Sequence, residues 1–427
     1  MALLPDSRIV EKGAKFVDTL MIVIRFHLFN LRYRFMRFLL AAVPAVSEPA
    51  RAKRVLCFCS GGLGDMIMAE PFFFGLKKSI PDCRIDAVVP AVFAELVKEN
   101  FPHVDRVVPF PFYGNYMGPK REWRFLSTLG KERYDLYFGV VDYTYAPRIP
   151  HNLYASMIGY VQGIPKRIGI YRQYNTGGRF EKRVVAAIFE RGSLYTDYSF
   201  QRHGAHFVLE HMRLLELAGY PRRQPVFTIS PPANRQEEVA LLLEGFAEEG
   251  DLVVIISPTS AYRGKQWEMV KWAKVADRLV RDFGARVVIS GAPKEETGTL
   301  IELLMEEECL NLSGTKALSL SQFVALMHRG NLCMGLDSGA SHLAVACGTP
   351  VVMLFGPTPV EIAGPVFLEN SCLIEAEKKC AKPCHGRNCT EEVSCMKSIT
   401  VEEVCQAAAS LILRSGNPSS REGSGIN

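Results

Sequence analysis

The stretch LCMGLDSGASHLAVACGTPVVMLFG, residues 332–356, contains two short apolar runs with one short helical segment between them. The runs LCMGL and PVVMLFG have the length and continuous hydrophobicity of strands that are covered on both faces. Between them, DSGASHLAVACG starts with small residues and stops at a glycine, which is typical of a loop that leads into a helix. The stretch therefore predicts a strand, a helix and a parallel strand, the repeating unit of a doubly wound sheet.

The same alternation of strands and helices continues in both directions along the chain. One series begins at RVLCFC, residues 54–59, and a second begins at LVVIIS, residues 252–257. Such alternation predicts an α/β fold with two Rossmann-like doubly wound domains, and their strand-to-helix loops face a central cleft. The segment from about 143 to 205 lacks a clear period, and we expect long surface loops there.

The length of 427 residues and the globular composition, with 48% hydrophobic and 22% charged residues, fit more than one domain. We divide the chain where the alternating pattern starts and stops. The predicted parts are a basic helical extension (1–53), a first Rossmann-like domain (54–235), a second one (236–398, with a cysteine-rich loop at 380–395), a C-terminal helix (399–416) and a disordered tail (417–427).

The positive charge of the chain is concentrated at its N-terminus. The first 54 residues hold ten Lys and Arg against four Asp and Glu, whereas the whole chain has a net charge of +5. These charges interrupt the apolar run, so it does not reach the ~20 residues of a spanning helix, and it lacks the order of a signal peptide. One interpretation is an amphipathic helix on an anionic membrane surface; the other is a helix packed on the protein or on a second subunit. The charge is too weak to indicate nucleic acid.

Cysteines give two different signals. Five of the twelve lie in apolar or strand-like settings typical of buried free thiols, as Cys57 and Cys333 do, which favours a reducing, cytoplasmic compartment. Four others are spaced by three, four and five residues, unlike the close pairs of zinc ribbons. Our prediction is that this group binds no metal. The alternatives that remain open for this group are a metal site, a redox-sensitive thiol cluster and a compact buried loop. Its members are Cys380, Cys384, Cys389 and Cys395.

The loop SGGLGD, residues 60–65, follows the first predicted strand. It fits neither of the common glycine-rich phosphate-binding patterns. Its glycines, Gly61, Gly62 and Gly64, allow close approach of a ligand. Asp65 is predicted at a helix N-terminus, where an ionised carboxylate that faces the cleft suits a general base. The alternative is that Asp65 only caps the helix.

Cations and hydroxyls follow strands of the second series. SPTSAYRGKQW provides Thr259, Ser260 and Lys265 before a helix, a combination that favours a phosphate, although a solvated basic loop is the alternative. After LCMGL, Asp337 precedes a helix N-terminus bare of large side chains, which we expect to bind a diphosphate. GAPKEE places Glu295 or Glu296 past a strand end. This carboxylate either accepts hydrogen bonds from ribose hydroxyls or is merely solvated.

Five stretches occur in one order over roughly residues 54–410. They are GLGDMIMAEPFFFGLKKSIPDCRIDAVV, SPTSAYRGKQWEMVKWAKVADRL, ISGAPKEE, GLDSGASHLAVACGTPVVMLFGPT and CAKPCHGRNCTEEVSCM. On these stretches the sequence resembles glycosyltransferase family 9, the ADP-heptose:lipopolysaccharide heptosyltransferases. The resemblance implies a GT-B architecture in which the first domain binds the acceptor and the second binds the nucleotide sugar.

The resemblance also implies roles for single residues. Asp65 is implied to be the general base, and the glycines before it, Gly61, Gly62 and Gly64, are expected to make room for the acceptor. Lys265 is implied to act on the diphosphate as the second catalytic residue. The loop before Lys265 is one residue longer than in some family members. The implied donor-binding residues are Thr259, Ser260, Glu295 at the ribose, Leu318 beside the adenine, Asp337, Ser338, Gly339 and His342.

The function implied is transfer of a sugar from an ADP-sugar to a lipid-linked lipopolysaccharide-core oligosaccharide. Heptose is the best-known donor sugar of the family. The implied location is the cytoplasmic face of the inner membrane. A base opposite the leaving group implies inversion, and no Asp-x-Asp triplet follows a strand, which favours a mechanism that requires no metal or other cofactor. We expect Arg172 and Arg179 to meet acidic groups of the acceptor. The alternatives are a nucleotide-sugar 2-epimerase of GT-B form and a membrane-associated binding protein without activity.

Overall fold

The computed structural model describes residues 31, 51–110, 119–142, 153–171, 194–202, 204–377, 389 and 395–415. These residues form two six-stranded sheets that follow each other along the chain, and the strands within each sheet are parallel. Apart from Leu31 and 51–53, the predicted N-terminal extension lies outside the described residues, as does the predicted tail. No helix in the described ranges combines the length and the apolar character needed to span a membrane.

The first sheet has the strand order β3-β2-β1-β4-β5-β6. Its strands are β1 Arg54–Ser60, β2 Arg84–Pro90, β3 Arg106–Phe110, β4 Leu136–Asp142, β5 Lys166–Tyr171 and β6 Asp197–Phe200. The helices of this unit are α1 Leu63–Met68, α2 Glu70–Ser79, α3 Ala94–Asn100, α4 Pro119–Leu129, α5 Leu153–Val161 and α6 Phe207–Leu217.

The second sheet has the strand order β12-β11-β10-β7-β8-β9. Its strands are β7 Val253–Ser257, β8 Arg286–Ser290, β9 Cys309–Leu312, β10 Leu332–Leu336, β11 Val351–Phe355 and β12 Ser371–Glu375. The helices that follow α6 are α7 Ala233–Leu243, α8 Met269–Phe283, α9 Thr297–Leu304, α10 Leu320–Arg329, α11 Gly339–Ala346, α12 Val360–Ala363 and α13 Val401–Ser415.

Both sheets have the same topology, in which the strand order reverses next to the first strand of the unit. The reversal lies between β1 and β4 in the first sheet and between β7 and β10 in the second. Ligands of open parallel sheets bind outside the carboxyl ends of the strands at this position. The prediction of two Rossmann-like doubly wound units is confirmed, and the loops after β1, β7 and β10 lie where a ligand site is expected.

Continuous apolar sequence explains why the central strands are covered on both faces. Every residue of β7, β10 and β11 is buried. Burial of each Val, Leu or Ile side chain contributes roughly 1.5–3 kcal/mol, before the entropic cost of ordering the chain. On one face the amphipathic α8 places Trp272 in the core and ends at Gly284, whose φ of 63° is the left-handed conformation that glycine adopts readily.

The prediction of long surface loops from about 143 to 205 was wrong for the described part of that segment. It contains α5, β5 and β6. Its packing depends on the Tyr195 ring, which lies against Gly139 of β4 and Gly169 of β5 where any larger side chain would collide with it. Nζ of Lys166 lies 2.8 Å from Oδ1 of Asp197, so this ion pair joins the neighbouring strands β5 and β6. Such long-range packing leaves no periodic signal in the sequence.

Candidate functional site

The two Rossmann-like units contact each other through the loops at their reversal points. A Cβ atom added to Gly64 in α1 would lie 2.8 Å from Cδ2 of His342 in α11. A Cβ atom added to Gly339 would lie 2.7 Å from Cβ of Leu63. Both glycines are therefore required for the close approach of the two helices. As a result, the N-terminal ends of α1 and α11 lie side by side.

Asp65 is the third residue of α1 and is half-buried. Its Oδ2 accepts a hydrogen bond from the backbone N–H of Gly62 at 2.9 Å, so the carboxylate does cap the helix. Its Oδ1 has no hydrogen bond to any residue that the structure describes. A carboxylate held by one oxygen keeps the other available to accept a proton, so capping and base catalysis are compatible at this position. Gly61 and Gly62 form the turn around it.

Lys265, Asp337 and His342 form a nearly buried cluster at the reversal point of the second sheet. Nζ of Lys265 lies 2.5 Å from Oδ2 of Asp337, and Nε2 of His342 lies 3.3 Å from Oδ1 of the same carboxylate. The cluster forms because β7 and β10 are neighbouring strands, with Ser257 paired to Gly335, and the loops that follow both strands meet.

The electrostatics of this cluster keep Asp337 ionised. Burial by itself raises the pKa of its carboxyl, but the hydrogen bond with His342 and the positive charge of Lys265 outweigh burial and hold the pKa well below its ordinary value. The carboxylate in turn holds the Lys265 ammonium in place. An ammonium has three donors, and Nζ of Lys265 donates to Oδ2 of Asp337 and, at 3.4 Å, to its carbonyl oxygen, so one donor remains for a ligand.

Ser338 stands at the N-cap of α11, but its side chain does not cap the helix. Its Oγ is buried and has no hydrogen-bond partner among the described residues. Backbone N–H groups in the first turn of a helix also lack partners within the helix. Because a buried hydroxyl without a partner is costly, this atom indicates a position that a ligand with acceptor oxygens would fill.

The remaining predicted donor residues lie on neighbouring loops of the second sheet. Thr259 and Ser260 are half-buried in the loop between β7 and Lys265. Oε2 of Glu295 accepts from the N–H of Ala292 at 3.0 Å, which fixes this side chain just past β8. Leu318 is half-buried in the loop that leads from β9 to α10. The structure therefore brings all of these residues to one edge of one sheet.

The loop around Glu295 carries a backbone conformation that is unusual for its residue. Lys294 has a φ of 71°, in the left-handed region that residues other than glycine seldom adopt. Such strain is concentrated at ligand sites, where the surrounding structure imposes it. The position of Lys294, directly before Glu295, agrees with a binding role for this loop.

Some predicted site residues cannot be placed. Arg172, Arg179, Cys380 and Cys384 lie outside the described residues, while Cys389 is half-buried and Cys395 is buried. In the part of the chain that the structure describes, no three His, Cys, Asp or Glu side chains are grouped so as to hold a metal ion.

The sequence analysis did not single out two polar residues that contact distant parts of the chain, Glu70 and His206. Glu70, at the start of α2, is fully buried, and its carboxylate accepts from the backbone N–H of Thr228 at 3.1 Å and from the Thr228 hydroxyl. Burial raises the pKa of Glu70 to about 7, even though the bonds from Thr228 act to lower it. His206 precedes α6 and contacts Gly364 of the second unit. A charged side chain next to an apolar run was the available signal for Glu70, whereas no local pattern marks the contact of His206.

The sequence matches the model of glycosyltransferase family 9 (heptosyltransferase) over residues 137–394. Lipopolysaccharide heptosyltransferase 2 of Salmonella typhimurium is 25% identical over 325 residues, which cover 73% of this chain and 85% of that protein. Lipopolysaccharide heptosyltransferase 3 of Escherichia coli is 25% identical over 69% of this chain and 80% of its own length.

Two solved structures share the fold. A glycosyl transferase family 9 protein of Veillonella parvula superposes with a TM-score of 0.67 at 20% identity, over 86% of this chain and 99% of that one. The ADP-heptose lipopolysaccharide heptosyltransferase II of E. coli superposes with a TM-score of 0.64 at 22% identity, over 85% of this chain and 100% of that one. These similarities confirm the GT-B architecture.

Proposed function

The chain belongs to glycosyltransferase family 9 and is a glycosyltransferase, and we propose that it transfers heptose from ADP-heptose to a hydroxyl of a lipopolysaccharide-core acceptor. The names of its relatives support this choice of donor and acceptor. The observation that carries the proposal is the buried hydroxyl of Ser338, which has no partner among the described residues and lies beside Lys265 on the helix that touches the Asp65 loop.

In the proposed reaction, Asp65 accepts the proton of the acceptor hydroxyl through Oδ1. The hydroxyl oxygen forms a bond to the anomeric carbon, while the bond from that carbon to the diphosphate oxygen breaks and its electron pair stays on the diphosphate. Because attack comes from the face opposite the leaving group, the configuration inverts. A carboxylate with one oxygen fixed by Gly62 is preorganised for this proton transfer.

The second unit stabilises the negative charge that develops on the leaving diphosphate. Lys265 provides a cation that Asp337 orients, and Ser338 and the first turn of α11 provide hydrogen-bond donors. Preorganised donors of this kind typically contribute ~3–4 kcal/mol each to lowering the barrier. We therefore propose that transfer requires no metal ion. Glu295 accepts from ribose hydroxyls, and Leu318 packs beside the adenine.

We also propose which part of the chain binds each substrate and where the enzyme is located. Residues 54–235 bind the acceptor, 236–398 bind the donor, and the helix 399–416 completes the second unit. The basic extension, residues 1–53, holds the enzyme on the cytoplasmic face of the inner membrane, where a lipid-linked acceptor is available. Arg172 and Arg179 contact acidic groups of that acceptor. Removing residues 1–53 is expected to release the protein from anionic vesicles while transfer to a soluble core oligosaccharide continues.

The direct test incubates the purified full chain with ADP-heptose and a heptose-acceptor core oligosaccharide, with and without EDTA, and follows the product by mass spectrometry. We expect a product heavier by one heptose, equal rates with and without EDTA, and inverted anomeric configuration by NMR. Loss of the rate in EDTA, restored by a divalent cation, contradicts the metal-independent mechanism. An epimer of the donor formed without acceptor contradicts the transferase proposal and favours a 2-epimerase.

A further inference from the structure

The imidazole of His206 contacts both Rossmann-like units at the edge of the site. His206 is the N-cap residue of α6 in the first unit, and its Nδ1 accepts the backbone N–H of Val208 at 3.2 Å. Its Nε2 lies 2.7 Å from the carbonyl oxygen of Gly364, which follows α12 in the second unit. Each ring nitrogen therefore contacts a different unit.

These two contacts define the protonation state of the ring. Nδ1 accepts from an N–H group, so it carries no proton, and Nε2 must donate because a carbonyl oxygen only accepts. Burial and the nearby charge of His342 lower the pKa of His206, while the hydrogen bond to Gly364 acts to raise it. The neutral ring with its proton on Nε2 satisfies both contacts at once.

On the side of the first unit, α6 contacts the helix that carries Asp65. Nδ1 of His211, one turn further along α6, lies 3.1 Å from the carbonyl oxygen of Met68, the last residue of α1. A shift of α6 would therefore displace the C-terminal end of α1. Asp65 stands one turn before Met68 on the same helix.

On the side of the second unit, the loop held by His206 begins beside Asp337. This loop, residues 356–364, follows β11, and the backbone N–H of Asp337 donates to the carbonyl of Leu354 in β11 at 3.1 Å. Within the loop, α12 makes a single turn that ends where Gly364 N–H donates to Val360 at 2.7 Å. So short a helix has little stability of its own, and its position depends on external contacts.

We propose that His206 is a positioning residue that fixes the proposed base, Asp65, relative to the Asp337 and Ser338 loop of the donor site. It touches no reacting atom, and it acts through α6 and α1 on one side and through the loop 356–364 on the other. This inference rests on the proposed transfer reaction, in which acceptor oxygen and anomeric carbon must approach to ~3–3.5 Å across the two units.

Two substitutions separate the two contacts of the imidazole. In His206→Asn the short side chain caps α6 well but does not reach Gly364. In His206→Gln the terminal amide N–H lies about as far along the side chain as Nε2 does, so it can donate to Gly364, while glutamine is not a favoured cap residue. The asparagine variant removes the bridge, and the glutamine variant weakens the cap.

The experiment compares both variants with the wild-type full chain by kcat, KM for donor and acceptor, Tm, and hydrogen exchange of residues 356–364. For His206→Asn we expect wild-type Tm, faster exchange of the loop and a kcat lower by about 10- to 100-fold. For His206→Gln we expect a Tm lower by a few degrees, wild-type exchange of the loop and a kcat close to that of the wild type.

Three results would overturn the inference. Wild-type kcat and loop exchange in His206→Asn would show that the bridge has no role. A lower kcat in His206→Gln alone would show that His206 acts by capping α6. An equal fall of kcat in both variants, with wild-type exchange of the loop, would show that the imidazole itself is needed and not the bridge. If the wild type transfers no heptose, the proposed function fails, whereas exchange of the loop in His206→Asn still decides whether the bridge holds it.

Discussion

Two buried aspartates, Asp86 and Asp337, are both paired with cations but lie at opposite ends of their sheets. Asp86 is in β2 near its amino end, where it accepts from Arg84 at 2.7 and 2.8 Å and from the Tyr134 hydroxyl at 2.9 Å. Asp337 follows the carboxyl end of β10 and contacts Lys265 and His342.

The surroundings of the two carboxylates differ in whether a buried polar atom lacks a hydrogen-bond partner. Around Asp86 the cations are shared with a second carboxylate, Glu132, which pairs with Arg54 at 2.6 Å and Arg106 at 3.1 Å. Next to Asp337, the Ser338 hydroxyl is buried without a partner among the described residues. We infer that the Asp86 cluster stabilises the fold and that the Asp337 cluster binds a ligand. The predictions below test this contrast.

Among the variants that test this contrast, the largest effect is expected at Lys265. Lys265→Met removes the cation beside the proposed diphosphate and should lower kcat/KM for ADP-heptose by about 100- to 1,000-fold. The control is Lys274→Met on the exposed face of α8, which should leave the steady-state rate unchanged. Equal rates in the two variants would remove Lys265 from the catalytic machinery.

Asp86→Asn should affect stability and not catalysis. Arg84 and Arg106 would face each other without the central charge, and we expect a loss of about 3 kcal/mol in the free energy of unfolding. Urea denaturation measures the loss, and kcat per folded molecule should stay at the wild-type value. A lower kcat in folded Asp86→Asn would contradict the structural assignment of this cluster.

Ser338→Ala should have the opposite signature. Its hydroxyl has no partner in the described structure, so removal should leave the unliganded protein equally stable or slightly more stable. A bond from this hydroxyl to a charged phosphate is typically worth about 1.5–3 kcal/mol, so ADP should bind roughly 10- to 100-fold more weakly by calorimetry. Wild-type ADP affinity in Ser338→Ala would place the diphosphate elsewhere.

Glu70 is a buried carboxylate whose partner, Thr228, is neutral, and it should give the smallest effect. Because its pKa is raised to about 7 in the folded protein, the native state keeps a proton that the unfolded chain loses above its ordinary pKa near 4.5. Stability from this group is therefore full below pH 4.5 and declines as pH rises to about 7, by on the order of 1–3 kcal/mol. Glu70→Gln should flatten this decline in denaturation experiments at pH 5 and pH 8. An unchanged slope in the variant would assign the pH dependence to other groups.

The fold and the site loops were predictable because they depend on local pattern. Continuous apolar runs specify β7, β10 and β11, and small residues at strand ends specify the loops after them. The pairing of Lys265 with Asp337 joins residues 72 positions apart, and the sequence analysis assigned Lys265 to the diphosphate without this partner.

What could not be predicted depends on contacts between elements. The packing of Tyr195 against β4 and β5 and the contact of Gly64 with His342 both join distant parts of the chain. The bridge from His206 to Gly364 spans 158 positions, and histidine is not a favoured helix cap, so no local signal marks it. Periodicity reports which face of an element is buried, but not which residue it meets.

The central claim, that the first unit supplies the base and the second binds the donor, is tested most directly by Asp65→Asn. The variant keeps an oxygen that can accept from Gly62, so α1 should remain capped, but it cannot take the acceptor proton. The control is Asp82→Asn, at an exposed position of the same unit.

The measurement is heptose transfer together with calorimetric binding of ADP-heptose by the same protein samples. We predict that Asp65→Asn lowers kcat by about 100- to 10,000-fold while ADP-heptose affinity and Tm stay at wild-type values, and that Asp82→Asn matches the wild type in all three. Loss of ADP-heptose binding in Asp65→Asn, or transfer at the wild-type rate, would contradict the account.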